Sequence, residues 1–523
     1  MADLTYSRRN NPRLTSNFEN VGAVAKVLLD EYEKNRKKRG KRKASEGEKE
    51  DYHRHLVNII CDLYAAWIEN PDRYVGYSRG KENFNQGGSY WDHLNDCSLL
   101  SQRKFLELID FLKAELYIED HTAKAGRNRI SSRMKAKEYL LNLLFEMEVN
   151  WASIQTDTNT GAIVVKDENK KTIAPPDDPD FEYTRAEKNL QRINENLQSS
   201  LLNLNISDHE FESLKIRLRN SEDDDELVEL GSKREPLEFQ NRSLRRIFAQ
   251  GSFNSGGRFY GGWWQGLPSE YRKHIEIEGL ITREMDYATI QPRILYSRVN
   301  TEPPEDSYVI PGWSLQGWDK ELRNIAKKAF NQLINSREGA KEENQWHGFA
   351  PYLDPDPLPE GWANMSKNKR TKLRRDEFLK RTDRDYSDLL RDLKEMHKPI
   401  DDYFFSQAWT WMQRIDSNIA ERVMLKLLDQ QITSLPIHDS FIVRRGAEGL
   451  LDEIMNETFE EIVGTKGKVD WDETIYDTDE KGRKPLIIAA DVYGELGSHM
   501  IESSGYHLRE AEWRKVHGPC GYE

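Results

Sequence analysis

Two segments decide how this chain is read: Met285-Asp286-Tyr287-Ala288-Thr289-Ile290-Gln291-Pro292-Arg293 and Pro436-Ile437-His438-Asp439-Ser440-Phe441-Ile442-Val443. Each sets one aspartate at the edge of an apolar, strand-like run. Two carboxylates brought together on adjacent strands can hold a pair of Mg²⁺ ions, with Mn²⁺ as the alternative metal. Such a pair clamps the attacking and leaving oxygens of a phosphoryl transfer. An α+β fold with Asp286 and Asp439 on neighbouring strands is therefore expected.

The rest of the composition bounds this reading. At 523 residues the chain has room for roughly two to four domains. A hydrophobic fraction of 37% with a mean hydropathy of −0.83 fits long polar helices and charged linkers. The 13 tryptophans argue against wholesale disorder. No apolar run approaches the roughly 18 residues that a membrane span needs. The opening MADLTYSRRNNPRL has no apolar stretch after its charges, so no secretory signal is expected. Cys61, Cys97 and Cys520 have no paired spacing, which points away from disulfides and cysteine zinc sites and toward a reducing cytoplasm.

A net charge of −13 looks wrong for a nucleic-acid binder, but distribution matters more than the sum. Basic residues are concentrated in Lys34 to Lys43, Lys124 to Lys137 and Lys367 to Lys380, and acid in Glu222 to Glu226. A single basic run is commonly a solvated face. Three of them beside a two-aspartate site predict at least one phosphate-contact surface.

Along the chain, residues 1–20 read as a flexible arm. Residues 21–156 alternate helical periodicity with one strand-like segment, Tyr117 to His121, before the basic stretch. A winged-helix module that docks duplex DNA and a plain helical bundle both fit that pattern. Residues 157–236 read as a linker followed by thumb-like helices, with a hairpin around Gly161 to Ile173 and a Pro-Pro-Asp-Asp-Pro stretch from Pro175. Residues 237–500 carry more aromatics, glycine and strand-like runs, and 501–523 form a C-terminal tail.

The segment from Asn254 to Arg293 resembles the core of family A DNA polymerases. The matching pieces are Gly257-Arg258, Gln265-Gly266-Leu267-Pro268, Arg272, and Asp286 to Arg293. The resemblance implies a right-hand fold of palm, fingers and thumb. It implies metal binding by Asp286, Asp439 and the main-chain carbonyl of Tyr287. Arg323-Asn324-Ile325-Ala326-Lys327 resembles the family's fingers helix. Independently of the family, Arg323, Lys327, Asn331 and Asn335 recur every four residues and form one polar stripe. An arginine and a lysine one turn apart can grip a triphosphate. The segment containing Gln413 resembles the family's helix before the last strand, and Gln413 would contact primer or template. His438-Asp439-Ser440 resembles the family's His-Asp-Glu turn, with His438 near the primer end.

The departures matter as much. Ser440 stands where the DNA enzymes have glutamate, and His-Asp-Ser-Phe is also similar to single-subunit, phage-type RNA polymerases. Gln291, Asn331 and Asn335 replace family residues that take part in sugar selection. No exonuclease signature precedes the core, so no proofreading is expected. The Arg246 to Gln265 context is similar to polymerases of phages, plasmids and other mobile elements. The expected function is a DNA polymerase acting on primed template and nucleoside triphosphates. Arg258, Gln265, Arg272 and Arg293 would position nucleic acid. The alternatives are an RNA polymerase or primase, and a nucleic-acid-binding replication factor without catalysis. Phe259 to Trp264 reads equally as core packing and as a platform for bases.

Overall fold

The computed structural model describes residues 7–40, 42–85, 90–92, 97–123, 131–158, 161–220, 237–315, 317–336, 353–362, 365–471 and 504–519. Across these the fold is mixed α+β, with helices packed around several sheets. Apolar side chains gather in two cores, one running from Leu14 to Ile154 and the other from Trp151 to Trp513.

The first core is built on the helices Glu19–Lys38 and Glu46–Glu69. The second helix starts at a capping box between Ser45 and Glu48, which satisfies two otherwise orphaned N–H groups. Every residue from Leu56 to Ala66 is buried, so this helix runs through the core instead of along it. Beside it lies a sheet in the order Ser7–Arg9, Tyr74–Tyr77, Ser132–Ala136, Ile118–His121. The first pair is parallel and the other two are antiparallel.

The expected N-terminal arm is therefore corrected over residues 7–20. Its first strand is pinned by charge: buried Arg8 meets Asp62 at 3.1 Å and Glu238 at 3.0 Å. Arg73 joins the same network, meeting Glu69 at 3.4 Å and Glu238 at 3.1 Å. Glu238 belongs to the stretch that leads into the second core, so this ion network ties the two together.

The second core packs two sheets. One has the order Thr172–Ile173, Ile163–Lys166, Arg245–Ala249, Ser252–Tyr260. The hairpin expected around Gly161 to Ile173 is present, with Ile163–Lys166 antiparallel to Thr172–Ile173. The parallel pairing of Ile163–Lys166 with Arg245–Ala249 corrects the domain boundary expected at 237: residues on both sides of it share one sheet. The other has the order Leu202–Leu204, Ile275–Ile277, Leu280–Tyr287, Ser440–Arg444, Ser434–Ile437, and Val469–Trp471 also pairs with Leu280–Tyr287. The helix Trp409–Asp429 packs against Ser252–Tyr260 and the helix Glu448–Val463. The expected tail is corrected as well: Ser504–His517 is a docked helix, with Trp513 buried and its ring 5.7 Å from that of Trp151.

The basic runs have different fates. Arg36, Lys37 and Lys38 end the helix Glu19–Lys38, where cations complement the helix dipole, and Arg36 is itself buried over the Tyr32 and Tyr52 rings. Residues 124–130 and the acidic stretch 222–226 lie outside the described residues. The third run forms the helix Lys367–Thr382. Among the described residues no helix is long and apolar enough to cross a membrane.

Two consequences can be measured. Glu238→Ala leaves buried guanidinium groups short of a partner and should lower unfolding free energy by about 3 kcal/mol, read by denaturant titration. His55 and His397 are each pushed down to about 4 by burial. In both, one ring nitrogen faces a carbonyl, Asp51 at 2.7 Å and Ser307 at 2.8 Å. Their neutral forms stabilise the fold above the unfolded value of about 6.5, and that stability is lost as pH falls from there toward 4. The thermal midpoint should drop across that window, and His55→Gln should flatten the decline; a midpoint unchanged down to pH 4 would contradict it.

Candidate functional site

Alternation along Leu280–Tyr287 buries Met285 and Tyr287 on one face and leaves Glu284 and Asp286 on the other. The Tyr287 hydroxyl donates to the Met455 carbonyl at 2.6 Å, fixing the end of the strand to the helix behind it. Ser434–Ile437 and Ser440–Arg444 form a hairpin whose two-residue loop is His438-Asp439. His438 takes a left-handed backbone with φ 57°, a conformation that side chains other than glycine adopt at a cost of about 1 kcal/mol. The Tyr287 N–H donates to the Asp439 carbonyl at 3.3 Å. That bond and the pairing of Asp286 opposite Ser440 bring both aspartates to one end of the sheet.

Their electrostatics follow from this closeness. Asp286 keeps an exposed edge, yet protein atoms crowd its carboxyl. Crowding first, and then the charge of Asp439, push its pKa well above the usual carboxylate range. Lys327 acts in the opposite direction. Asp416, buried on the helix Trp409–Asp429, is also raised, by burial first, with Arg258 opposing and Asp439 adding to the rise. The Arg258 Nε donates to Asp416 at 2.7 Å, and Nη2 reaches the same oxygen. Burial works against the Arg258 charge, but Asp416 and Asp439 hold its pKa above the ordinary value. His438 is pushed down by burial and then by Arg258, so its imidazole is neutral at pH 7. Its ring lies 5.7 Å from that of Tyr260.

The helix Asp319–Asn335 turns Leu322, Ile325, Ala329 and Leu333 into the core. Arg323 Nε donates to Asp306 at 2.6 Å, and its guanidinium lies 5.4 Å from the centre of the Tyr308 ring. Lys327 and Asn335 are exposed on the same stripe. Four of the expected site residues carry a buried polar atom without a hydrogen-bond partner among the described residues: Gln291 Oε1, Arg293 Nε, Asn331 Oδ1 and His438 Nδ1. Unpartnered buried polar atoms are uncommon and call for an explanation such as a ligand or water. Gln413 is half-buried one turn before Asp416.

Gln265 has a different place from the one expected. Its Oε1 accepts from the Gly261 and Gly262 N–H groups at 2.9 and 3.2 Å. Its Nε2 donates to the Phe259 and Pro436 carbonyls at 2.9 and 3.0 Å. The amide is saturated and staples the hairpin, with nothing left for a nucleic acid. Trp264 Nε1 reaches the same Pro436 carbonyl at 3.1 Å, and Phe259, Trp263 and Trp264 are all buried, so these three rings pack. Arg272 pairs with Glu284 at 3.2 Å.

Sequence reading missed Glu284, Asp416, Tyr308 and Asp470. The Tyr308 phenol is buried within the field of Asp439, Arg323, Asp306 and Asp286. Asp470 lies directly across the sheet from Asp286. Two of them had a local signal, Asp416 in its helical spacing from Gln413 and Glu284 in its strand alternation with Asp286.

Among the described residues no group of three or more His, Cys, Asp or Glu side chains is close enough to hold a metal alone. The donor set that is present, two carboxylates that repel each other, suits a divalent cation completed by water and phosphate oxygens. No family model matches the chain, and no curated protein matches it.

If the two aspartates repel as described, Asp439→Asn should raise the thermal midpoint in EDTA by about 1–3 °C. If the pair holds Mg²⁺, adding it should raise the midpoint of the native chain and not that of the variant. An unchanged or lower midpoint in EDTA would argue against the repulsion.

Proposed function

We propose that this chain is a template-directed DNA polymerase with a right-hand fold, extending a primer by phosphoryl transfer from nucleoside triphosphates. The observation that carries the reading is Asp286 at the end of one strand and Asp439 in the hairpin loop beside it, with the charge of Lys327 reaching Asp286 from the helix Asp319–Asn335. Asp286 and Asp439 would hold Mg²⁺ or Mn²⁺. Bound metal would lower the pKa of the attacking hydroxyl and offset charge on the phosphates.

The chain's own groups then have separable tasks. Lys327 and Arg323 meet the triphosphate as fixed positive charges, which stabilise a transition state more than water does because they need little reorganisation. Asp306 holds the Arg323 Nε in place. Arg258, held by Asp416, presents a rigid cation beside His438, whose neutral imidazole lies near the primer end. Gln413, Arg293 and Asn335 line the nucleic-acid side. In the first core, the strand Tyr74–Tyr77 before the helix Gln102–Ala114, paired with the hairpin Ile118–His121 and Ser132–Ala136 after it, supports a winged-helix docking module over a plain bundle.

One observation favours the second reading, an RNA polymerase or primase. Gln291 Oε1 and Asn331 Oδ1 are buried acceptors without donors among the described residues, and a ribose 2′-hydroxyl is a donor.

Primer extension on a primed DNA template with Mg²⁺ tests both, with dNTPs and rNTPs supplied separately and one lane without primer. Extension with dNTPs, abolished by Asp286→Ala and by Asp439→Ala with DNA binding retained, is the expected result. Lys327→Ala should lower kcat/KM by roughly 100-fold. Synthesis from rNTPs or without primer would transfer the assignment to the second reading. Undiminished synthesis by either aspartate variant would remove the site, and binding without synthesis would favour a replication factor.

A further inference from the structure

Glu284 lies two residues before Asp286, so the alternation of the strand puts both carboxylates on one face. Ser440, the residue after Asp439, lies opposite Asp286. The Ser440 hydroxyl donates to Glu284 Oε1 at 2.7 Å. Arg272 Nη1 donates to the same oxygen at 3.2 Å. One carboxylate oxygen thus joins three elements: the strand Leu280–Tyr287, the hairpin that carries Asp439, and the short helix Ser269–Arg272.

Arg272 is anchored at its other side, where Nε donates to the Leu267 carbonyl at 3.3 Å. That bond tethers one edge of the guanidinium. Its field reaches His438, the residue before Asp439. Without the Glu284 carboxylate, that cation would lose its partner near the loop that carries Asp439, and neither Asp286 nor Asp439 has an ion-pair partner among the described residues. An arginine on either aspartate would compete directly with a divalent cation.

We propose that Glu284 is a positioning residue that keeps Arg272 occupied and Ser440 fixed, leaving Asp286 and Asp439 free for metal. This rests on the metal-dependent reading given above.

The test uses the full chain, with Glu284→Ala alone and combined with Ser440→Glu. A carboxylate grown from position 440 would reach the vacated place, because the Ser440 hydroxyl already touches it. Mn²⁺ binding is followed by electron paramagnetic resonance without nucleic acid, and the Mg²⁺ concentration for half-maximal primer extension is measured in parallel. Partners that orient metal ligands typically change affinity by 10–100-fold, so Glu284→Ala should weaken Mn²⁺ binding and raise the Mg²⁺ requirement by about tenfold. At saturating Mg²⁺ the KM for nucleotide should stay within about twofold, because the triphosphate contacts are untouched. Ser440→Glu should restore most of the metal affinity.

A folded Glu284→Ala protein with unchanged Mn²⁺ binding would overturn the proposal, as would a defect that Ser440→Glu does not relieve. Should Glu284→Ala fail to fold, Glu284→Gln replaces it. The amide still accepts from Ser440 but no longer neutralises Arg272, so the metal defect should persist, and normal Mn²⁺ binding would count against the role. If the native chain extends no primer, the polymerase reading fails, while the Mn²⁺ measurement still decides the part played by Glu284.

Discussion

Antiparallel pairing of Leu280–Tyr287 with Ser440–Arg444 sets two like charges at one end of a sheet, and much of the second core serves to hold them there. Left alone, the hairpin would relax away from the repulsion. It is held by Gln265 and Trp264, which converge on the Pro436 carbonyl, and by the Tyr287 N–H on the Asp439 carbonyl. Behind the sheet, Tyr287 is locked to the helix Glu448–Val463 and lies against Phe459. Strain at a site can persist only where the surroundings over-determine it. The left-handed backbone at His438 belongs to the same account.

How much of this was legible in the sequence depended on the range of the interaction. The alternation around Asp286, the two-residue His438-Asp439 turn and the four-residue stripe from Arg323 to Asn335 are local patterns, and the elements follow them. The strand Ser7–Arg9 was not legible, because it is polar and short, and its reasons for being ordered are Asp62 and Glu238. The boundary read at 237 failed for a similar reason: a parallel pairing needs a partner far along the chain, and Ile163–Lys166 finds it in Arg245–Ala249. Gln265 was read from its setting as a ligand residue, but backbone groups on both sides of it had already taken its amide. Glu284 looked like any exposed strand residue until Ser440 and Arg272 were brought to it by the fold.

Charge composition proved a poor guide for a physical reason. Several arginines that a count would assign to phosphate binding are spent inside the protein. Arg242 is buried between the rings of Trp151 and Trp513, and Arg246 is buried against Glu421, Asn418 and the Gly257 carbonyl. Arg8 and Arg73 share Glu238. A guanidinium can serve as a packing unit because its flat faces stack on aromatics while its edge donates. The cations left for a polyanion are thus fewer than the total suggests.

The docked helix Ser504–His517 bears on the order in which the protein can assemble. It covers Trp151 through Trp513, and Asn203 donates to its Tyr506 carbonyl at 3.1 Å. These contacts join residues some three hundred positions apart. Closing so long a loop is slow, and during synthesis the earlier partners emerge from the ribosome well before the helix does. Trp151 and the strand Leu202–Leu204 must therefore wait with an apolar face uncovered, so the newborn chain passes through a sticky stage that ends only when the helix Ser504–His517 docks.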